Sequence, residues 1–208
     1  MKIENLEALF LHELKDAYDF EHRILDGLEE MEEAASESAL QQAFRQHHQQ
    51  TERQIERLER VFAEIGVEPE REPCDGIQGI LEEGSEVASA EGDPSAIDAA
   101  LIAGAQRVEH YEIAAYGTLR AFAEHLGHDR AAKLLQETLD EESQTDEKLT
   151  RLAVDNVNRQ AAAAGGAPGS RAEDKTKEEL YEEAKELGVE GRSQMSKEEL
   201  AEEVGARK

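Results

Sequence analysis

Glu21, His47, Glu112 and Glu142 each stand where an apolar residue belongs. This emerges when apolar residues are followed at spacings of three and four, the repeat that keeps one face of a helix turned inward. One stripe runs Phe10, Leu14, Ala17, Glu21, Ile24, Leu28, Met31, and a second Leu40, Phe44, His47, Thr51, Ile55, Leu58, Phe62, Ile65. The third is Leu101, Gly104, Val108, Glu112, Ala115, Leu119, Phe122, Leu126, and the fourth Leu135, Leu139, Glu142, Asp146, Leu149, Ala153. Carboxylates taken out of water together repel one another and are costly unless cations neutralise them or they hold protons. A cage of carboxylates and imidazole suits Fe, Mn or Zn better than metals that want soft ligands. Each position read singly has an equal alternative, because Glu fills 38 of the 208 positions and half a turn of phase would return it to the surface. Four intruders at one depth favour a buried metal centre.

That common depth depends on the elements that carry the residues. Helices are predicted over 4–34 and 37–65, with a break at Ala35-Ser36 and Ser36 or Ser38 as N-cap. A turn-rich stretch follows from Gly66 to Gly76, then a minor helix over about 77–90. Asp93 as N-cap with Pro94 in the first turn opens a helix over about 95–126, Gly127 stops it, and a last helix runs over about 129–158. Short turns make antiparallel neighbours, and the long connection allows the third long helix to start at the same end as the second. Glu21 lies 14 residues before Ala35 and His47 lies 12 after it, while Glu112 and Glu142 are each 15 from Gly127. At about 1.5 Å per residue these are depths of roughly 18–23 Å, so all four meet at mid-bundle if the hairpins pack in register.

Lesser candidates surround this set. Glu109 precedes Glu112 by three and either joins its face or pairs with Arg107 or solvent; Asp146 follows Glu142 by four. His110 is either a supporting donor or a surface residue. Tyr18, Tyr111 and Tyr116 either hydrogen-bond the acids or simply pack. His22 and His48 are expected to face solvent, and Cys74 to sit in the crossover without partner or chemistry. The Glu-x-x-His pair of complete two-metal bundles is absent, since Phe44 stands three before His47 and Thr145 three after Glu142.

Composition removes other classes. One Cys allows no intramolecular disulfide, and no apolar run approaches the ~18–20 residues of a membrane span, so a cytoplasmic protein without membrane attachment is expected. Asp and Glu number 49 against 23 Lys and Arg, a net of −26, which repels phosphate backbones and anionic lipid. Residues 1–170 carry 37 acids and 15 bases, residues 171–208 carry 12 and 8. Such a coat reads as a solvated surface, adapted to salt that screens self-repulsion; a melting temperature that rises in molar KCl would bear this out. Abundant Ala, Glu, Leu and Gln with four Pro point to an all-α chain. The expected domains are a four-helix bundle over 1–160, a flexible linker over 161–173 rich in Ala, Gly and Pro, and a small module over 174–208. Within the module Thr176 with Glu179 and Ser196 with Glu199 form capping boxes, Gly188 and Gly205 end the two helices, and Leu180, Ala184, Leu187, Val189, Met195, Leu200 and Val204 supply a small core.

Leu14-Lys15-Asp16-Ala17-Tyr18-Asp19-Phe20-Glu21, the His47 to Thr51 spacing, Val108-Glu109-His110-Tyr111-Glu112 continuing to Leu119, and Leu139-Asp140-Glu141-Glu142 with Asp146-Glu147-Lys148-Leu149 closely resemble the YciF-like ferritin-like proteins. The likeness covers about residues 3–155. It implies a ferritin-like four-helix bundle, a homodimer, a stress-response association and a di-iron or mononuclear centre, hence a metal-dependent oxidoreductase as one function. The tail from Lys177-Glu178-Glu179-Leu180-Tyr181 to Met195-Ser196-Lys197-Glu198-Glu199-Leu200 resembles the N-terminal helix-extended-helix module of transcription terminator Rho, which implies nucleic-acid contact, weak or salt-dependent at the tail's net charge. Two functions follow. Either iron or manganese, with Zn third, binds Glu21, His47, Glu112 and Glu142, with Glu109 and Asp146 as lesser ligands, for oxidation or peroxide chemistry; or a non-catalytic dimeric scaffold tethers the tail to nucleic acid or protein.

Overall fold

Asn5 opens the first helix, its side chain accepting from the Ala8 backbone N–H at 2.8 Å, and the helix α1 then runs Leu6–Ala34 in the computed structural model, which describes residues 3–164, 176–189, 191–192 and 195–206. The following helices are α2 (Ser38–Glu64), α3 (Asp75–Ala88), α4 (Pro94–Leu126) and α5 (Asp129–Leu152). A π-helical turn over Ala153–Val157 leads on into α6 (Asn158–Ala164). Two short helices, α7 (Lys177–Glu186) and α8 (Lys197–Ala206), end the chain. The described residues contain no strand. The chain divides into two units, Met1–Ala161 and Ala162–Lys208.

In the first unit α1 packs on α2 and on α4, and α5 packs on α4 and on α2. Ion pairs and hydrogen bonds identify the ends. Asp98 in the first turns of α4 accepts from Ser36 and Glu37 in the α1–α2 turn, and Arg130 at the start of α5 reaches Glu64 at the end of α2. So α2 and α4 start at the same end, as the long connection allows. Phe10, Phe20, Phe44, Phe62, Leu14, Leu40, Leu58 and Leu101 fill the interior. The crossover lies along α1 and α4: the Glu72 N–H donates to the Lys15 carbonyl, the Cys74 N–H to Asp19, and α3 packs on both helices.

Two turns follow sequence expectation. Asp93 caps α4 through the Ser95 and Ala96 N–H groups, and Gly127 ends it at φ +79°, the left-handed conformation that a glycine adopts without steric cost. Three features differ. The α2 cap is Glu37, not a serine, because the carboxylate of Asp98 already takes the Ser36 N–H and hydroxyl. The last bundle helix continues to Ala164, into the stretch expected to be linker, since its run of alanines has the highest helix propensity. Cys74 is buried with its sulfur 3.1 Å from the Tyr111 hydroxyl, so it has a partner. The Gly165 to Ser170 part of the expected linker lies outside the described residues.

In the second unit Thr176 and Glu179 make a reciprocal capping box, as do Ser196 and Glu199. Leu180, Ala184, Val189, Leu200 and Val204 are buried together, with Leu187 and Met195 against them. Gly188 turns the chain after α7 at φ +67°, while Gly205 lies inside α8 instead of ending it.

Candidate metal centre

Glu21, His47, Glu109, Glu112 and Glu142 are all buried, at 0 to 3% exposure. His47 comes from α2, Glu109 and Glu112 from adjacent turns of α4, and Glu142 from α5. One ligand atom from each of these four lies within 4.8 Å of every other. Glu109 Oε1 is 3.0 Å from His47 Nδ1, and Glu142 Oε2 is 3.3 Å from His47 Nε2, but neither contact has hydrogen-bond alignment. Both oxygens of Glu109, both of Glu112, Glu142 Oε2, Glu21 Oε2 and His47 Nε2 consequently have no hydrogen-bond partner. Buried polar atoms are ordinarily paired, so this group of unpartnered atoms calls for a cation, water or shared protons.

Glu21, an expected ligand of the first rank, stands beside the four and not in the ligand group. Its Oε1 accepts the Tyr116 hydroxyl proton. Asp146 is outside the centre: half-buried, it accepts from Gln106 Nε2 at 3.0 Å and lies 3.4 Å from the exposed His110. It follows Glu142 by four residues, and the rotation turns it toward the α4 side while Thr145 takes the inward place. His110 therefore serves the surface, and Tyr18 bonds Glu59 at 2.9 Å rather than the buried acids.

Two supporting residues lie off the traced stripes. Gln54 donates to Glu142 Oε1 and, at 3.0 Å, to Glu141 Oε2. Glu141 is in turn gripped by both guanidinium ends of Arg57 at 3.0 Å. Tyr116 is fully buried with its ring edge-on to Phe20. Spacing contained both, since Gln54 is three after Thr51 and four before Leu58, and Tyr116 four after Glu112. The single-file stripes passed them by because each long helix packs on two neighbours and buries a face wider than one file.

The electrostatics follow the geometry. Burial, then Glu142, push the Glu21 carboxyl up to about 8 despite the Tyr116 hydrogen bond. Burial pushes Glu109 up to about 7 against the pull of His47. Glu112, buried and facing Glu142, Glu21 and Glu109, rises well above the usual carboxylate range. Burial disfavours the charged ring of His47, but Glu109 and Glu142 outweigh it and hold the imidazole well above its ordinary value. All of these shifts act to lower the negative charge of the buried group.

The donors fit a transition metal. Three carboxylates and an imidazole offer oxygen and nitrogen ligands, their orphaned atoms converge, and Gln54 and Tyr116 orient Glu142 and Glu21 from behind in the manner of outer residues at metal sites. The absence of Glu-x-x-His leaves one histidine within this group.

Residues 5–162 match the family described as a domain of unknown function, DUF892, and residues 173–204 match the Rho termination factor N-terminal domain. Protein YciF of Escherichia coli K12 is 46% identical over 162 residues, 77% of this chain and 98% of that protein. The crystal structure of the E. coli stress protein YciF matches with a TM-score of 0.72 at 46% identity, and YcfI of Rhodopseudomonas palustris, named for a proposed structural role, with 0.72 at 42%; each comparison covers 74% of this chain and 98% of the other. With its four-helix core spanned by that match, the chain belongs to the DUF892 family and is a homologue of YciF.

Proposed function

We propose that this chain is a stress-response metalloprotein that binds iron or manganese through His47, Glu109, Glu112 and Glu142, with Glu21 held alongside by Tyr116. The convergent orphaned atoms carry this reading: a dication satisfies them and compensates the charge that otherwise requires shared protons. The stress role is carried over from the E. coli relative, a stress protein. A bound redox metal supplies one-electron oxidation or peroxide chemistry. The protein's own contribution is to present anionic oxygens, to keep His47 between two carboxylates so that one ring nitrogen can ligate while the other donates, and to exclude water. Binding releases the protons now held by the group.

Metal analysis of protein purified without chelator tests this. About one or two Fe or Mn per chain is expected, together with a higher melting temperature on adding Mn(II) or anaerobic Fe(II), and loss of both in Glu112→Gln. Protein without bound metal whose melting is unchanged by either ion refutes it.

A second reading concerns the tail, where an independent small core coincides with the Rho-type match. The module tethers single-stranded nucleic acid to the bundle, which acts as a dimer. Of its described cations, Lys177, Lys185, Arg192 and Lys197, Lys185 pairs with Glu182 at 2.8 Å and Arg192 lies over the Tyr181 ring. Binding of an RNA oligonucleotide should therefore be weak at 150 mM salt and stronger at 20 mM. Deleting residues 165–208 should abolish it and leave metal content intact; equal RNA binding without the tail refutes the reading.

A further inference from the structure

The side of the metal centre that faces α3 is unlike the side that faces Gln54. Behind His47 and Glu109 lies a small cavity walled by Ile24, Leu28, Met31, Leu81, Ala105 and Val108, with room for about one molecule of water size. A second cavity of similar size adjoins it toward the surface, where Gly84, Gly104, Ile80 and Ser85 complete the wall. Gly27, Met31, Leu81 and Val108 line both. Of these Leu81 packs closest on the glycine: a Cβ on Gly27 would lie 2.9 Å from its Cδ2, so glycine at 27 is what gives that side chain its place against both cavities. At the outer end the Ser85 hydroxyl donates to Glu30 at 2.8 Å. At the inner end are His47 and Glu109, 3% and 0% exposed, and both carboxylate oxygens of Glu109 are without a hydrogen-bond partner.

We propose that this is an apolar passage under α3 that admits an uncharged molecule of diatomic size, dioxygen by its chemistry, to the His47 and Glu109 edge of the centre, with Leu81 as its gate. The passage offers hydrogen-bond partners only at its two ends, so an ion or a strongly hydrated solute would lose hydration without compensation. Apolar cavities of this kind stay dry and take up apolar atoms. On the α2–α5 side, by contrast, Gln54, Glu141 and Arg57 close the layer with hydrogen bonds to one another and to Glu142. The assignment of dioxygen rests on the metal reading above; the passage itself does not.

Xenon reads the passage without any metal. Crystals under xenon pressure should show an atom between Leu81 and Glu109 or beside Gly104, at higher occupancy in Leu81→Ala and at least threefold lower in Gly104→Leu. At position 104 a Cβ meets only Met31 Cε, at 3.9 Å, and at position 84 it meets nothing within 4 Å. Both replacements favour helix over glycine, so Gly84→Leu serves as a second plug, and thermal melting of each variant checks its fold. In iron-loaded protein, oxidation of two Fe(II) to Fe(III) would pass two electrons to one dioxygen, which takes two protons from solvent and leaves as hydrogen peroxide. Its rate should fall at least fivefold in Gly104→Leu or Gly84→Leu at unchanged iron content. Xenon missing from both wild type and Leu81→Ala overturns the passage; xenon bound, with oxidation unaltered in both plugged variants, overturns its assignment to dioxygen. Xenon bound in a protein that takes up no metal refutes the metal reading and leaves the passage standing.

Discussion

Asp19 and Asp98 are as well buried as the acids of the central layer, yet they live in a different chemical world. Asp98 accepts from the Ser36 N–H at 2.8 Å, the Ser36 hydroxyl at 2.6 Å and the Glu37 N–H at 2.9 Å. Asp19 accepts from Arg23 at 2.5 Å, Arg71 at 2.9 Å and the Cys74 N–H at 3.0 Å; burial opposes its ionisation, but these donors hold it below the usual carboxylate range. Glu109 and Glu112 have no such bond. The chain satisfies a buried acid where the acid ties the crossover or a turn to the bundle, and leaves Glu109 and Glu112 without a donor where four ligand groups converge. The sharpest way to break this comparison is Asp98→Ala, which strands three donors at the α1–α2 turn. It should cost about 3 kcal/mol of stability, measured by urea unfolding with and without metal, and both forms should lose the same amount.

The opposite sign is expected at the centre. Glu112→Gln replaces a carboxyl whose ionisation burial and its acidic neighbours oppose with an amide that stays neutral at every pH, so the metal-free protein at pH 8 should be at least as stable as the wild type while losing tenfold or more in metal affinity. Destabilisation of the metal-free form would place Glu112 with Asp98. The pH dependence sharpens the same point. Glu21 sits at about 8 in the folded protein against an ordinary 4.5, so folding favours its protonated form; that stability is complete below about pH 4.5 and is lost as pH rises through 8. Glu109, at about 7, acts in the same direction, as does the raised His47 below its own folded value. Metal-free protein should therefore melt lower at pH 8 than at pH 5.5, with a shallower slope in Glu21→Gln, while the melting increment from Mn(II) grows with pH. An equal slope in both proteins would show that Glu21 ionises normally.

The bundle was legible from periodicity, because the four long helices bury apolar files at spacings of three and four, and Asp93 and Gly127 mark ends by chemistry that acts locally. Matching depths along those files also placed His47, Glu112 and Glu142 together. Glu109 lies with the central layer because α4 packs on both α1 and α5 and buries a face wide enough to turn both of its acids inward, which a single file does not show. Asp146 lies at the edge of the face α5 buries, against Gln106 and away from the four. Asp98 and Cys74 were not legible at all. Their partners, Ser36 and Glu37 in one case and Tyr111 in the other, are brought to them by the crossover, and nothing local in the sequence reports where a long connection is pinned.

Tyr116 tests the boundary between the two classes, since its buried hydroxyl donates to Glu21 beside the central four. That hydrogen bond lowers the Glu21 value against burial and Glu142. Tyr116→Phe should therefore push Glu21 further up, so that in metal-free protein at pH 7 the acid simply keeps its proton and the cost stays near 1 kcal/mol. The metal-loaded form bears more, because there the carboxylate is anionic and loses its only donor; metal affinity should drop several-fold, through a larger proton release on binding that calorimetry in buffers of different ionisation enthalpy would read. A loss as large as that of Asp98→Ala, equal with and without metal, would instead make the Tyr116 to Glu21 contact a structural tie of the Asp98 kind and shrink the ligand-ready region to His47, Glu109, Glu112 and Glu142.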